Sequence, residues 1–586
     1  MVRRLMMDVC RVLLAAVALF GFRSNLVNSK EWWANGNYYQ IYPRSFQDSD
    51  GDGIGDLNGV TQKLQYLKEI GFTGVWLSPI FKSPMVDFGY DISDFYAIHP
   101  EYGTMEDFKA LVARAKQVGI RIILDFVPNH TSDECEWFVK SVNREPGYED
   151  FYVWSNGTVD ANGNRQPPSN WLSAFRYSAW QWNDKRQQYY LHQFSIQQAD
   201  LNYRNPLVVS KMKEVMRYWL DTGISGFRID ALPFMFEKEP YANGSYPDEP
   251  VIDNVSVCPD PDDECHLKHI YTQDQPESIE MVYQWRELVE QYRKEKGGES
   301  IVLLTEAYTS LDNLMLYYGD GQRNGSMVPF NFYFMRNLKN DSTAPQIVDY
   351  IQQWMTHMPT GVQANWVLGN HDNSRYSTRL GVQRADLFTI MLQTLPGNAV
   401  TYNGEELAMT DGKVSWKHTV DPQGCNANRF NYESYSRDPC RTPYQWDATK
   451  NSGFSSAAHT WLPVASNYRT NNALAQLRAP KSHLQLFMKL IRLRQMRSLQ
   501  DGALKIKAIG NDIIIYSREA AGDDMFVIVL NLGGNEQSLN INQYFDMGSK
   551  AEVITSSMQS GYHDGVIIDP SKYVAEPYVG VVLVKL

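Results

Sequence analysis

At 586 residues the chain exceeds what one hydrophobic core usually serves, so a large domain with one or two satellites is expected. Its 67 acidic and 55 basic residues give a net charge of −12, which argues against a phosphate-binding surface and against nucleic acid as a partner. An apolar share of 43% is ample for globular packing.

The first segment, residues 1–28, carries Arg3 and Arg4, an apolar run from Val12 to Phe20, and then small or polar residues, the layout of a secretory signal peptide. A membrane anchor is the weaker alternative, because the run is roughly half of the ~20 residues that a spanning helix needs. The C-terminal GVVLVKL lacks the polar spacer and apolar tail of a lipid-anchor signal, so the protein is expected to be secreted and soluble. Cys10 falls within the signal. Of the other cysteines, Cys258 and Cys265 lie close together, as do Cys425 and Cys440, so each pair could close a small loop in an oxidising compartment and leave Cys135 as a free thiol. None has the tight CxxC spacing of zinc ligands. Sequons at Asn156, Asn243, Asn254, Asn324 and Asn340 fit a secreted glycoprotein, whereas the sequon at Asn129 lies at a strand end where burial should prevent modification.

Strand and helix patterns alternate from Tyr38 to about Arg497. Strands are predicted at Tyr38–Ile41, Gly74–Leu77, Arg121–Phe126, Gly226–Asp230, Ile301–Glu306, Val328–Phe332, Trp366–Gly369 and Ala399–Tyr402. Between them lie amphipathic helices. In Met105–Val118, Phe108, Leu111, Val112 and Ala115 share a face behind a Thr104/Asp107 capping box. Another spans Pro206–Asp221, and the last covers about Lys481–Arg497. Eight strands alternating with helices predict a (β/α)8 TIM barrel over residues 29–128 and 206–497. The aromatic, irregular stretch 129–205 is too long for a bare loop and reads as an inserted subdomain. Residues 498–586 change to short β runs, with strands at Asp512–Tyr516, Met525–Leu532, Ala551–Ile554 and Val579–Val584, and predict a C-terminal antiparallel β-sandwich domain.

Four segments carry chemistry: DFVPNH at Asp125–His130, GFRIDAL at Gly226–Leu232, LLTEA at Leu303–Ala307 and VLGNHD at Val367–Asp372. Each is an apolar run that stops on a polar or charged residue, as a buried parallel strand does when it delivers a side chain to a site at its C-terminal mouth. With QADLN at Gln198–Asn202 and GVWLSP at Gly74–Pro79, they resemble the motifs of the α-amylase superfamily, glycoside hydrolase family 13, in the family's order. The likeness covers nearly the whole mature chain and is greatest to the maltase/oligo-1,6-glucosidase branch, particularly secreted insect maltases.

A retaining glycosidase needs an ionised carboxylate as nucleophile and a protonated carboxyl as acid, about 5–5.5 Å apart. The resemblance assigns these roles to Asp230 and Glu306, with Asp372 as a third carboxylate that grips sugar hydroxyls and favours the oxocarbenium-like transition state. Arg228, two residues before Asp230 on the same strand, faces the same side and should keep Asp230 ionised. Glu306 must titrate higher. The same motifs place His130 and His371 on hydroxyls of the bound glucose. In MVDFGYD the resemblance implies Asp87 and Tyr90 as lining of a terminal-glucose pocket, with Asp87 paired to Arg441 of CRTPYQWD and closing the pocket behind the non-reducing sugar. Phe194 and Tyr90 would stack on sugar faces and Gln198 would add a polar contact. Ala231, directly after the nucleophile, resembles the α-1,4-selective members of the branch, and a methyl difference there is worth only ~1–3 kcal/mol of selectivity.

The run Asp48-Ser-Asp50-Gly-Asp52-Gly-Ile54-Gly-Asp56 offers alternating oxygens for a hard cation. It is not an EF-hand, since its twelfth position is Gly59 and a strand precedes it. It matches the metal-binding loop after the first strand in this branch, with Asp48, Asp50, Asp52, the Ile54 carbonyl and Asp56 as ligands. A mixed carbonyl and carboxylate cage favours structural Ca2+ over Mg2+.

The sequence therefore predicts a secreted, exo-acting, retaining α-glucosidase that acts on small α-glucosides such as maltose and sucrose, without a membrane span. The alternatives are a non-enzymatic receptor or transporter-associated scaffold of the same fold, and an endo-acting α-amylase with an open cleft.

Overall fold

A computed structural model describes residues 31–586, and the segment read as a signal peptide lies outside the described residues. Eight parallel strands form the barrel: β1 (Asn37–Ile41), β2 (Gly74–Leu77), β3 (Arg121–Phe126), β4 (Gly226–Ile229), β5 (Val302–Thr305), β6 (Val328–Pro329), β7 (Asn365–Val367) and β8 (Asn398–Tyr402). Their order in the sheet is β6-β5-β4-β3-β2-β1-β8-β7. All of β1, β2, β4, β5 and β8 is buried, as expected of parallel strands covered on both faces. β4 lies very close to β5: a Cβ at Gly226 would stand 2.2 Å from the Val302 carbonyl oxygen, so only glycine fits there.

The seam between β6 and β7 is closed by a side chain and not by a backbone ladder. Asn365 donates from Nδ2 to the Pro329 carbonyl at 2.5 Å and accepts from the Asn331 amide at 2.8 Å. The strand predicted over Val328–Phe332 is therefore only two residues long. Pro329 has no N–H for a ladder, and Asn331 turns the chain by accepting from Phe334 N at 2.9 Å, which caps a helix over Phe332–Asn337.

The helix Met105–Val118 starts on the Thr104/Asp107 capping box and stops at Gly119, whose φ of 72° lies in the left-handed region. It buries Phe108, Leu111 and Ala115, while Val112 is half-buried. The predicted last helix is in fact two, His483–Leu493 and Arg497–Gln500.

Between β3 and β4 the chain builds a three-stranded sheet from Trp154–Ser155, Gln188–Leu191 and Trp180–Asn183, around a small core that includes Trp171, Trp180 and Tyr246. Both ends of this insertion are tied at the barrel mouth, where His130–Ser132 pairs antiparallel with Gln198–Asp200. Downstream of the barrel, six antiparallel strands form one sheet and a two-stranded ribbon, Gln537–Leu539 with Tyr573–Ala575, packs on it. Its first strand, Ala503–Ile509, was not among those predicted, although Leu504 and Ile506 alternate with the exposed Lys505 and Lys507.

Cys258 and Cys265 form a disulfide, and Cys135 is a buried free thiol. Cys425 and Cys440 are not joined, which corrects the second expected pairing. The Cys440 thiol is buried and directed at the carbonyls of His371 (3.2 Å) and Arg437 (3.1 Å), whereas Cys425 is exposed on the short helix Pro422–Asn426. Among the described residues, no helix is long and apolar enough to cross a membrane.

Candidate active site

A cavity of about 410 Å³ opens at the C-terminal ends of the barrel strands. Asp230 follows β4, Glu306 follows β5 and Asp372 follows β7, and all three line the cavity. Beneath them Arg228 is fully buried. Its Nη1 lies 2.5 Å from Asp230 Oδ1 and 2.9 Å from Asp125 Oδ1, and its Nη2 lies 2.6 Å from Glu306 Oε2. One guanidinium thus contacts both Asp230 and Glu306. Both carboxyls therefore face the same buried cation at the cavity floor.

Asp125, quoted within DFVPNH but given no role from the sequence, is the buried counter-charge of Arg228. It also accepts from Trp76 Nε1 and from the Tyr90 hydroxyl, each at 3.1 Å. After Asp230 the chain turns sharply, with Ala231 at φ 54°, and the Ala231 amide donates to Glu306 Oε2 at 3.1 Å. A left-handed non-glycine residue is held there only because its surroundings fix it.

The electrostatics separate the three carboxyls. Burial pushes Asp230 up to about 6, although the Arg228 guanidinium pulls against it. Glu306 stands well above the usual carboxylate range, chiefly through burial, which overcomes the pull of Arg228 and to which the charges of Asp230 and Asp372 add. Burial would raise Asp372 too, but it is held well below the usual range by its cationic neighbours. His371 is kept neutral by burial, so at neutral pH that effect falls to Arg437, Arg441 and Arg228.

As pH rises, Asp230 therefore loses its proton before Glu306, which leaves an ionised carboxylate beside a protonated carboxyl. The expected profile of kcat/KM rises through an apparent value near 6 as Asp230 ionises, then falls through a second, higher value as Glu306 deprotonates; both values belong to the coupled pair. A profile flat between pH 5 and 9 would contradict this ordering.

His130 and His371 both line the cavity. Burial pushes His130 down to about 4, so it works as a neutral hydrogen-bonding group. His371 Nδ1 lies 2.7 Å from Gln40 Nε2 on β1, and its Nε2 lies 3.4 Å from Asp372 Oδ2. The ring of Tyr90 stacks on His371 with centroids 5.2 Å apart and 6° between planes. Phe194 packs against Phe234 at 5.1 Å on the cavity wall, and Gln198 Nε2 donates to Asp87 Oδ2 at 3.3 Å.

The partner of Asp87 differs from the expectation. Arg437, not Arg441, makes the pair, with Nη2 2.6 Å from Asp87 Oδ1. The same guanidinium binds Asp421 at 2.6 Å and reaches Asp372 at 3.3 Å. Arg441 does not line the cavity. It anchors Asp372 from behind, through Nη2 at 3.0 Å from Asp372 Oδ1, while its Nε donates to the His371 carbonyl at 2.8 Å. Across the turn Asp438–Arg441 the two arginines both reach Asp372 Oδ1, but only Arg437 lines the cavity. Arg437 and its buried partner Asp421 are the functional residues that sequence reading missed. Arg437 had a signal, as a second arginine four residues before Arg441; Asp421 had none.

In the acidic loop after β1, carboxylate oxygens of Asp48, Asp50 and Asp56 converge within 4.8 Å of one another, and Asp48 and Asp56 are buried. This donor set fits a hard cation. Asp52 lies outside that cluster, with Oδ1 accepting from the half-buried Ile54 amide at 2.8 Å.

Residues 40–502 match the model of the alpha amylase catalytic domain. The chain is 63% identical to maltase A1 of Drosophila melanogaster over 571 residues, which covers 97% of this chain and 98% of that one. It is 53% identical to the salivary alpha-glucosidase of Anopheles gambiae over 558 residues, or 95% of this chain and 93% of the relative. Among solved structures, an alpha-glucosyl transfer enzyme superposes with a TM-score of 0.80 at 31% identity, covering 94% of this chain and all of that one.

Proposed function

The chain belongs to the alpha-amylase family, and from that premise we propose that it is a secreted, exo-acting, retaining α-glucosidase that releases glucose from the non-reducing ends of maltose, sucrose and short α-1,4 oligosaccharides. The carrying observation is that Arg228 bridges Asp230 and Glu306 at the floor of a cavity whose inner end is closed by the Asp87–Arg437 pair. In the proposed mechanism Asp230 attacks the anomeric carbon, Glu306 protonates the leaving oxygen, and Glu306 then deprotonates the water that releases glucose. Asp372, His371 and His130 hold hydroxyls of the glucose, and their grip tightens as the ring flattens toward the transition state.

The closed inner end favours single-glucose release over internal cleavage of starch. The complete carboxylate set favours an enzyme over a scaffold of the same fold. Turnover of p-nitrophenyl α-glucoside, maltose and sucrose to free glucose, with starch a poor substrate, is the expected result; no turnover of any of them by glycosylated protein overturns the reading.

Export fits the salivary relatives, and the side chains of Asn156, Asn243, Asn254, Asn324 and Asn340 are all exposed, as attachment of glycans requires. Asn129 is buried and unsuited to one. The converging Asp48, Asp50 and Asp56 support a structural Ca2+, which would brace the loop after β1 and takes no part in the chemistry. Bound at a hundredfold excess over its Kd, such an ion would stabilise the fold by about 2.7 kcal/mol. Chelation is therefore expected to lower Tm with release of one equivalent of calcium, and Asp48→Asn should abolish that response. Unchanged ion content and Tm would refute the site.

A further inference from the structure

The outer wall of the cavity comes from three separate loops. Ala174 and Phe175 belong to the insertion, Glu264 and Gln273 to the long loop after β4, and Gln423 to the loop after β8. Asp87 at the inner end is buried, whereas Glu264, Gln273 and Gln423 are half-exposed, so these three stand on the side from which a leaving sugar departs.

One side chain joins all three loops. Arg176 donates from Nη2 to Asp260 Oδ2 at 2.5 Å, lies 3.5 Å from Asp263 Oδ2 through Nη1, and donates from Nη1 to the Tyr435 hydroxyl at 3.1 Å. Tyr435 in turn donates to Asp263 at 2.8 Å. Both acidic partners lie inside the small ring closed by the Cys258–Cys265 disulfide, and Glu264 sits within the same ring. Backbone contacts reinforce the junction: the Tyr177 amide donates to the Asp262 carbonyl at 2.8 Å, and Asn426 Nδ2 donates to the Phe175 carbonyl at 2.8 Å.

The turn that carries Arg176 is strained. Arg176 at φ 77° and Tyr177 at φ 66° are consecutive non-glycine residues in the left-handed region, a conformation that persists only where the surroundings over-determine it. The turn also presses Phe175 against the ring of Phe194 at 5.5 Å and under the Arg437 guanidinium at 4.9 Å.

From this arrangement we infer that Arg176 is a positioning residue for leaving-group specificity: it locks the disulfide ring and the two other loops into one wall, so that Glu264 and Gln273 meet hydroxyls of the sugar beyond the scissile bond. The inference rests on the α-glucosidase reading. It predicts that the wall matters for oligosaccharides and little for α-glucosyl fluoride, whose one-atom leaving group reaches no rim residue.

The test compares kcat and KM of Arg176→Ala on maltotriose, maltose and α-glucosyl fluoride. KM for maltotriose should rise about tenfold, the equivalent of ~1.4 kcal/mol, with kcat nearly unchanged and fluoride turnover altered by less than twofold. Arg176→Lys, which cannot span both acidic partners, should recover part of that loss. If Arg176→Ala does not fold, the double variant Asp260→Asn with Asp263→Asn keeps the arginine, removes both of its charged partners in the ring and should give the same split. Equal losses on all three substrates, or no change on any, overturn the inference. Failure of the unaltered enzyme to hydrolyse α-glucosyl fluoride overturns the underlying α-glucosidase reading instead.

Discussion

Replacing Asp230 by asparagine lowers kcat on maltose by about 10⁴-fold or more, the range seen when a covalent nucleophile is removed and only binding and electrostatic contributions remain. The amide is nearly isosteric and keeps one oxygen within reach of Arg228, so the fold should survive and Tm should move little. Glu306→Gln is expected to lose about 10²–10⁴-fold, but the loss depends on the substrate. Maltose needs its leaving oxygen protonated, whereas α-glucosyl fluoride departs without that help. The first step therefore recovers with the fluoride in Glu306→Gln and stays blocked in Asp230→Asn. Equal behaviour of the two variants on both substrates would undo the division of roles that the electrostatics imply, with Glu306 the higher-titrating group.

Removing Arg437 has the second-largest expected effect. Its guanidinium is buried and pairs with Asp87, Asp421 and Asp372. Arg437→Ala strands Asp87 and Asp421 in the interior, and breaking a buried pair in this way costs about 3–5 kcal/mol of stability. The inner end of the pocket opens at the same time, so kcat/KM for maltose should fall by about 10²–10³-fold. Two measurements check this, thermal unfolding and maltose kinetics. The double variant Asp87→Asn with Arg437→Met should be more stable than Arg437→Ala, because one stranded charge is gone. Arg441→Ala should behave differently: it frees Asp372 from behind without opening the inner end, and so should act more on kcat than on KM. If Arg441→Ala instead matched Arg437→Ala in every respect, the separate placement of the two arginines would be wrong.

The barrel and its three carboxylates were legible because a buried parallel strand betrays itself twice, by an unbroken apolar run and by the polar residue on which that run stops. FRID and LLTE are short enough to leave no doubt about which residue reaches the mouth. Beyond the strand ends the sequence says less. Arg437 and Arg441 sit four residues apart on a turn, and nothing in the order of the letters says which one faces Asp87; the path of Asp438–Arg441 decides it. The same turn buries the Cys440 thiol against backbone carbonyls, so proximity in sequence to Cys425 was a poor guide to pairing. Strand β6 was over-extended in the reading because Phe330 and Phe332 suit a strand, yet Pro329 and the Asn331 cap end it first. The Arg176 junction was invisible for a related reason: it joins residues from 175 to 435 that meet only after the barrel has brought three loops to one rim.

The central claim, a retaining site that holds one terminal glucose, is tested most directly by proton NMR of early turnover on maltotriitol, where newly released glucose is the sugar whose anomer can be read. The account predicts α-glucose appearing first and mutarotating afterwards, with maltitol as the other product. Initial β-glucose, or release of maltose in place of glucose, would contradict it.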